Sequence, residues 1–381
     1  MRIRFSSVIL RVELLAVLGL GTLQIACGGG TAGPDPQALA AVGRSVFFDE
    51  ALSEPAGQAC ASCHDPKNGF TDPRGTATSE GVIPGSFGNR NAPTAAYAVF
   101  SPAFYYDVAG GSYRGGQFLD GRASTLADQA QKPPLNPIEM HNPDAAAYAA
   151  KVASRPYAAQ LRSLFGQDMF ADPVRAMTGI AKAVEAFERT KEVSPFSSRY
   201  DAYLEGTADL SPQERMGLAL FEGKAGCAAC HPNRPGPDAQ RPLFTDFTYD
   251  NIGLPRNPAN PFYGQPATVN PDGAAFVDLG LADNPRVMKD GAAQANRGRF
   301  KVSTLRNVAL TAPYAHNGVF TTLKEVVAFY NRRDQEPLRF GPPEVPETMN
   351  RAELGNLGLS DEEEDALVAF LNALTDGYPA P

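Results

Sequence analysis

Apolar residues recur at helical spacing in a few separated segments, most of which carry their own start or stop signal. Residues 38–50 place Leu39, Val42, Val46 and Phe47 on one face with Gly43 among them, which predicts a helix. Residues 124–132 predict a short helix that Pro133-Pro134 ends. Asp144 to Phe165 reads as helical, with a break at Arg155-Pro156. Asp172 then Pro173 is an N-cap followed by proline at the first helical position, opening a helix to about Glu192. Val174, Met177, Ile180, Ala181, Val184 and Phe187 form its apolar face and are read as core. Ser211-Pro212-Gln213-Glu214 is a capping box leading into Met216, Leu220 and Phe221. Thr321 to Arg332 is helical. Ser360 to Leu374 is a final helix capped by Ser360 and Glu363, with Leu367, Phe370, Leu371 and Leu374 on its apolar face. Residues 232–300 hold few periodic runs and many Pro, Asn and Gly, predicting a long ordered loop with room for a short hairpin.

Part of this pattern occurs twice. Gly43-Arg44-Ser45-Val46-Phe47-Phe48 precedes Cys60-Ala61-Ser62-Cys63-His64, and Gly217-Leu218-Ala219-Leu220-Phe221 precedes Cys227-Ala228-Ala229-Cys230-His231. Each copy is a helix, a short turn and C-x-x-C-H, an internal duplication. C-x-x-C-H is the attachment signal for c-type haem: two thiols form thioethers with the vinyls, and the adjacent His becomes the proximal iron ligand. A redox pair, a zinc site and a structural disulfide are the competing readings. With four His and five Cys in the chain, both pairs are followed directly by His, which favours haem. The duplication predicts a mainly α fold of two cytochrome-c-like domains, each around a covalently attached haem c, with long ordered loops. The expected division is 37–205 for the N-terminal domain and 206–381 for the C-terminal one.

Composition adds limits. The chain of 381 residues is long enough for two domains, and its 36 Gly and 33 Pro suit long loops. A net charge of −8 argues against a nucleic-acid partner and leaves an acidic surface suited to a basic one. Residues 1–27 read as an export signal. Arg2 and Arg4 precede an apolar run from Val8 to Leu23 that Arg11 and Glu13 interrupt, too short for a good membrane span. Ile25-Ala26-Cys27-Gly28 is similar to a bacterial lipobox, with Gln24 where Leu is usual. Lipid anchoring at Cys27 and plain cleavage nearby both stay open. Residues 28–36 form a Gly/Pro tether, and the mature chain is expected in the periplasm.

Further segments carry a specific resemblance. The N-terminal half shows Phe47-Phe48-Asp49, Arg90-Asn91-Ala92-Pro93-Thr94, Phe118-Leu119-Asp120-Gly121-Arg122, Gln129-Ala130 and Asn136-Pro137-Ile138-Glu139-Met140. The C-terminal half shows Arg299-Phe300-Lys301-Val302, Thr304-Leu305-Arg306-Asn307, Leu310-Thr311-Ala312-Pro313-Tyr314 and His316-Asn317-Gly318. With these flanks, nearly the whole mature chain resembles the bacterial di-haem cytochrome c peroxidase / MauG family. The resemblance implies hydrogen peroxide reduction at the N-terminal haem, with Glu139 as distal acid/base and Gln129 as its companion. Electrons would come from a small redox protein, a cytochrome c or cupredoxin, through the C-terminal haem. It also implies a calcium ion between the domains, held by the Asn91 side chain and the carbonyls of Thr311 and Pro313. Many relatives form a homodimer.

Three departures from the family pattern matter. Residues 65–93 contain no His, so the usual capping ligand of the N-terminal haem is missing and His64 is expected to be its only protein ligand. His141, beside Glu139, is the alternative sixth ligand; His316 matches a family position that is not an N-haem ligand. Tyr330 stands where the peroxidases place the sixth Met ligand of the C-terminal haem, as in MauG proteins. A phenolate stabilises more oxidised iron than a thioether does. Met349 and Met288 are the alternatives. Finally, the chain has no Trp, and Leu119 occupies the place of the family's relay Trp, with Tyr105, Tyr106 and Tyr113 nearby in sequence. The leading expectation is a di-haem peroxidase. A MauG-like oxidase that uses high-valent haem to modify a partner protein, and an electron-transfer protein without peroxide turnover, are the rivals.

Overall fold

Asp35 starts the first helix, α1 (Pro36–Phe47): its carboxylate accepts from the Gln37 amide at 3.1 Å, and Pro36 takes the first helical position. The computed structural model describes residues 33–379, so the expected signal, Cys27 and most of the tether lie outside the described residues. Pro36, expected as the end of the tether, already belongs to α1.

The expected helices follow as α2 (Leu126–Ala130), α3 (Ala145–Ala153), α4 (Ala158–Phe165) and α5 (Pro173–Glu188). The break at Arg155-Pro156 separates α3 from α4. After a short α6 (Arg199–Leu204) come α7 (Pro212–Glu222), α8 (Pro285–Lys289), α9 (Leu323–Arg332), α10 (Pro337–Phe340) and α11 (Asp361–Asn372). The capping boxes at Ser211/Glu214 and Ser360/Glu363 are formed, as is one at Thr322/Glu325 that opens α9. Three antiparallel ribbons complete the described residues: β1 (Tyr105–Asp107) with β2 (Ser112–Arg114), β3 (Pro235–Gly236) with β4 (Ala239–Pro242), and β5 (Tyr249–Asp250) with β6 (Phe300–Lys301). The fold is therefore mostly helical with few strands. The β3–β4 hairpin lies in the 232–300 segment, where the expected loop left room for a short hairpin. So does α8, which the sequence reading missed although Asn284 and Pro285 are a cap and first-position pair.

Two helix pairs organise the core. In the first, α1 crosses α5 with Gly43 at the crossing, where a Cβ would lie 1.7 Å from the Ala183 carbonyl oxygen. Four residues on, Phe47 meets Phe187 with ring centroids 5.1 Å apart. In the second, α7 crosses α11 at Gly217, where a Cβ would lie 1.9 Å from the Ala366 oxygen. Phe221 meets Phe370 at 5.3 Å. The duplication seen in the leading helices thus extends to their partners, with Ala183 and Phe187 answering Ala366 and Phe370. Only glycine allows such backbone approach, and the aromatic pairs beside it bury large apolar area. Val174 departs from the expected core. Val174 is 71% exposed in the first turn of α5, ahead of the crossing, and Met216 is 43% exposed beside Gly217. Among the described residues, no helix is long and apolar enough to cross a membrane.

Candidate functional site

Each C-x-x-C-H motif sits on a short 3-10 turn that follows the crossing helix, Cys60–Ser62 after α1 and Cys227–Ala229 after α7. The turn closes when the His64 amide donates to the Cys60 carbonyl at 3.0 Å and the His231 amide to the Cys227 carbonyl at 2.9 Å. His64 Nδ1 lies 3.0 Å from the Phe70 carbonyl oxygen, and His231 Nδ1 lies 2.7 Å from that of Phe244. A carbonyl can only accept, so Nδ1 carries the proton in each ring and Nε2 keeps a free lone pair. Phe70 and Phe244 both have left-handed backbone, with φ of 59° and 54°. Thr94 and Thr304 brace the preceding residues by donating to the carbonyls of Gly69 and Leu243, each at 2.6 Å. The two halves share this scaffold bond for bond.

The competing readings of the motifs fare poorly. All four cysteines are free, so no disulfide joins them. Burial pushes the Cys60 and Cys227 thiols up to about 12, the opposite of the lowered thiol of a redox pair. Among the described residues, no three His, Cys, Asp or Glu side chains gather to hold a metal ion, which leaves a zinc site without its ligand set. Paired thiols beside a His with free Nε2 fit covalent haem. The second motif opens onto a cavity of about 320 Å³ lined by Cys227, Cys230, His231 and Tyr330.

Glu139 follows the turn at Pro133–Leu135, and its carbonyl accepts from the Val82 amide at 2.9 Å. Gly81 permits that contact, since a Cβ there would lie 2.4 Å from the Ile138 oxygen. The Glu139 side chain is half-buried, and among the described residues its enclosed Oε2 has no hydrogen-bond partner. Burial raises its proton affinity, while Arg122 and Asn136 pull the other way. Its charge is felt by both thiols of the first motif, so the fold brings the two together. Gln129 lies half-buried on α2. His141 is exposed, with Nδ1 3.1 Å from the Glu54 carbonyl oxygen.

Tyr330 on α9 lines the second cavity together with Cys227 and Cys230, and burial raises its phenol well above the usual range. Met288 is 59% exposed, and Met349 packs against Gly253. Asn91, Thr311 and Pro313 line the same cavity as Tyr330. The Asn91 amide donates to the His316 carbonyl at 2.7 Å and its Nδ2 to the Ala77 carbonyl at 3.2 Å. Among the described residues, the carbonyl oxygens of Thr311 and Pro313 accept no hydrogen bond. The donor set there is oxygen-only, as a hard cation requires.

Several charged groups escaped the sequence reading. Arg90 pairs with Asp278 and Asp120, each at 2.6 Å, in a buried cluster. Arg90 and Asp120 lie in recognised segments, whereas Asp278 lies in an aperiodic loop that offered no signal. Among the described residues Lys301 has no carboxylate partner: Nζ donates to Ser101 Oγ at 2.6 Å and the Gly116 carbonyl at 2.5 Å, and burial pulls the ammonium down to about 7. Glu188, near Cys60, is buried with Oε2 unpartnered, and burial pushes it up to about 8. His316 is buried and stacked on Phe300, with centroids 3.6 Å apart.

Known proteins share this arrangement of sequence and fold. The family described as di-haem cytochrome c peroxidase matches residues 37–209. The methylamine utilization protein MauG of Paracoccus denitrificans is 45% identical over 359 residues, covering 90% of each chain. The cytochrome c551 peroxidase of Nitrosomonas europaea is 30% identical over 349 residues, covering 91% of this chain and 82% of that protein. Among solved structures, the diheme peroxidase BthA of Burkholderia thailandensis superposes with a TM-score of 0.77 at 38% identity, covering 91% of this chain and 89% of that one.

Proposed function

The chain belongs to the di-haem cytochrome c peroxidase / MauG family, and on that premise we propose that it reduces hydrogen peroxide at an N-terminal haem with electrons relayed through a C-terminal haem. It is an oxidoreductase of the peroxide-using class. Cys60, Cys63 and His64 hold the first haem c, and Cys227, Cys230 and His231 the second, each in its own cytochrome-c-like domain. When bound, haem supplies an iron that accepts peroxide and passes electrons one at a time.

The chain's own part is proton management. Glu139 takes a proton from the near peroxide oxygen on a carboxylate oxygen and returns it to the departing one. A carboxyl raised by burial is suited to that exchange, since it binds and releases protons closer to neutrality than a solvated one does. The observation that carries the reading is the enclosed, unpartnered Oε2 beside the first motif. Gln129 on α2 is the companion of Glu139 in this reading. Tyr330 would supply a further iron ligand to the second haem, a role supported by its place in the cavity where Met288 and Met349 are not. Asn91, Thr311 and Pro313 hold a calcium ion that ties the two halves together. The protein is exported to the periplasm, and a small cytochrome c or cupredoxin meets its acidic surface.

Peroxide consumption with reduced cytochrome c as donor tests this. Sustained turnover that collapses in Glu139→Gln supports it. The second reading, a MauG-like oxidase acting on a protein, is favoured by Tyr330 and by the 45% identity to MauG. Haem absorption that responds to peroxide without sustained cytochrome c oxidation would favour that second reading.

A further inference from the structure

Tyr106 on β1 and Tyr113 on β2 sit directly opposite each other in register. Their rings meet edge to face with centroids 4.9 Å apart. Tyr106 is 45% exposed, whereas Tyr113 is buried. Tyr113 stacks on Phe104, centroids 5.4 Å apart and planes within 3°. Phe104 meets Tyr249 of β5 edge on at 6.0 Å. The inner end of this column presses on the Phe118–Arg122 segment: a Cβ at Gly121 would lie 2.3 Å from the Tyr249 hydroxyl and 2.6 Å from the Phe104 ring. Leu119, two residues earlier, and Asp250, next to Tyr249, line the cavity of the second motif. Four rings therefore run without interruption from beside that cavity to the surface.

Within the column only Tyr113 has a carboxylate to receive its proton. Its hydroxyl donates to Asp290 Oδ2 at 2.9 Å. The Tyr249 hydroxyl donates to the Gly115 carbonyl, which cannot take up a proton. Burial and the Asp290 carboxylate push the Tyr113 phenol up, so it stays protonated at rest and loses its proton only together with an electron.

We propose that this column carries oxidising equivalents outward, with Tyr113 as a proton-coupled station and Tyr106 as the surface terminus. The proposal rests on the peroxidase reading, which supplies peroxide as the oxidant. Peroxide accepts two electrons and two protons and leaves as two waters. For each electron drawn through the column, the Tyr113 phenol loses one electron and passes its proton to Asp290 Oδ2. Tyr106 then gives an electron to Tyr113, which takes its proton back from Asp290, and the Tyr106 proton leaves to solvent. A one-electron reductant in solution, such as a phenol, restores Tyr106.

The experiment adds equimolar peroxide to the di-haem holoprotein, follows haem absorption, and maps a nitroso spin trap by peptide mass spectrometry with freeze-quench EPR alongside. The expected result is a tyrosyl signal and a trap adduct on Tyr106. In Tyr113→Phe, which keeps every ring contact, the haem still responds and the Tyr106 adduct is lost. In Asp290→Asn the adduct is diminished and the solvent isotope effect on its formation disappears. An undiminished Tyr106 adduct in Tyr113→Phe overturns the proposal, as does a wild-type haem that responds to peroxide with no Tyr106 adduct. A haem that does not respond to peroxide overturns the peroxidase reading and the column with it.

Discussion

Substituting Gly43 by alanine probes the packing on which the first motif stands. The added methyl would sit 1.7 Å from the Ala183 carbonyl oxygen, half the 3.4 Å at which ordinary contact begins. The obstacle is main chain in the middle of α5, so no rotamer change relieves it, and α1 must lift off α5. Overpacking costs about 1–3 kcal/mol, and this geometry belongs at the upper end. Alanine returns about 1 kcal/mol through its higher helix propensity. The net loss is therefore about 2 kcal/mol, which for a domain of this size lowers the melting temperature by about 4–8 °C. Gly217→Ala, with its methyl 1.9 Å from the Ala366 oxygen, should behave alike. Gly236→Ala serves as control because nothing lies within 4 Å of its Cβ position. Melting of the holoprotein followed by far-UV circular dichroism reads all three. Gly43→Ala melting together with wild type and the control would refute the crossing argument.

Three further outcomes follow from the site. Asp278→Asn breaks a buried pair with Arg90 and should cost about 3 kcal/mol in denaturant unfolding. Although burial opposes it, Arg90 holds the Asp278 carboxyl down to about 2, below its ordinary 3.8. Its stabilisation is therefore complete above pH 3.8 and lost as pH falls toward 2, an acid limb that the variant should lack. Glu139→Gln should lower kcat/KM for peroxide by about 10²–10⁴-fold. The wild-type rate should fall with decreasing pH through a pKa above the ordinary 4.5 of a glutamate, because the base form starts the proton transfer; the variant should show no such limb. Chelation of calcium should lower the melting temperature of wild type and leave that of Asn91→Ala unchanged, as calorimetry would show.

What was legible in the sequence was local. Helices with their own caps, at Asp172, Ser211 and Ser360, were placed because the capping group and the apolar period lie within one or two turns of each other. The duplicated Gly43 and Gly217 were visible as a repeat, but their partners Ala183 and Ala366 were not, since a helix crossing leaves no mark of its own on the second helix. Val174 keeps helical spacing yet faces solvent, because periodicity assigns a face and not the length over which that face is covered. Asp278 reaches Arg90 from a segment without periodicity, so no pattern announced it. Glu139, Tyr330, Asn91, Thr311 and Pro313 came from the resemblance. The fold places Glu139 beside the first motif and the other four around one cavity, juxtapositions that spacing alone does not express.

The two haems are expected to be unequal, one open beside Glu139 and one closed by Tyr330. Electron paramagnetic resonance of the ferric protein as isolated, in wild type and Tyr330→Phe, tests it most directly. One high-spin and one low-spin haem are expected, with the low-spin signal altered in the variant. Two low-spin haems, or a low-spin signal indifferent to Tyr330→Phe, would contradict it.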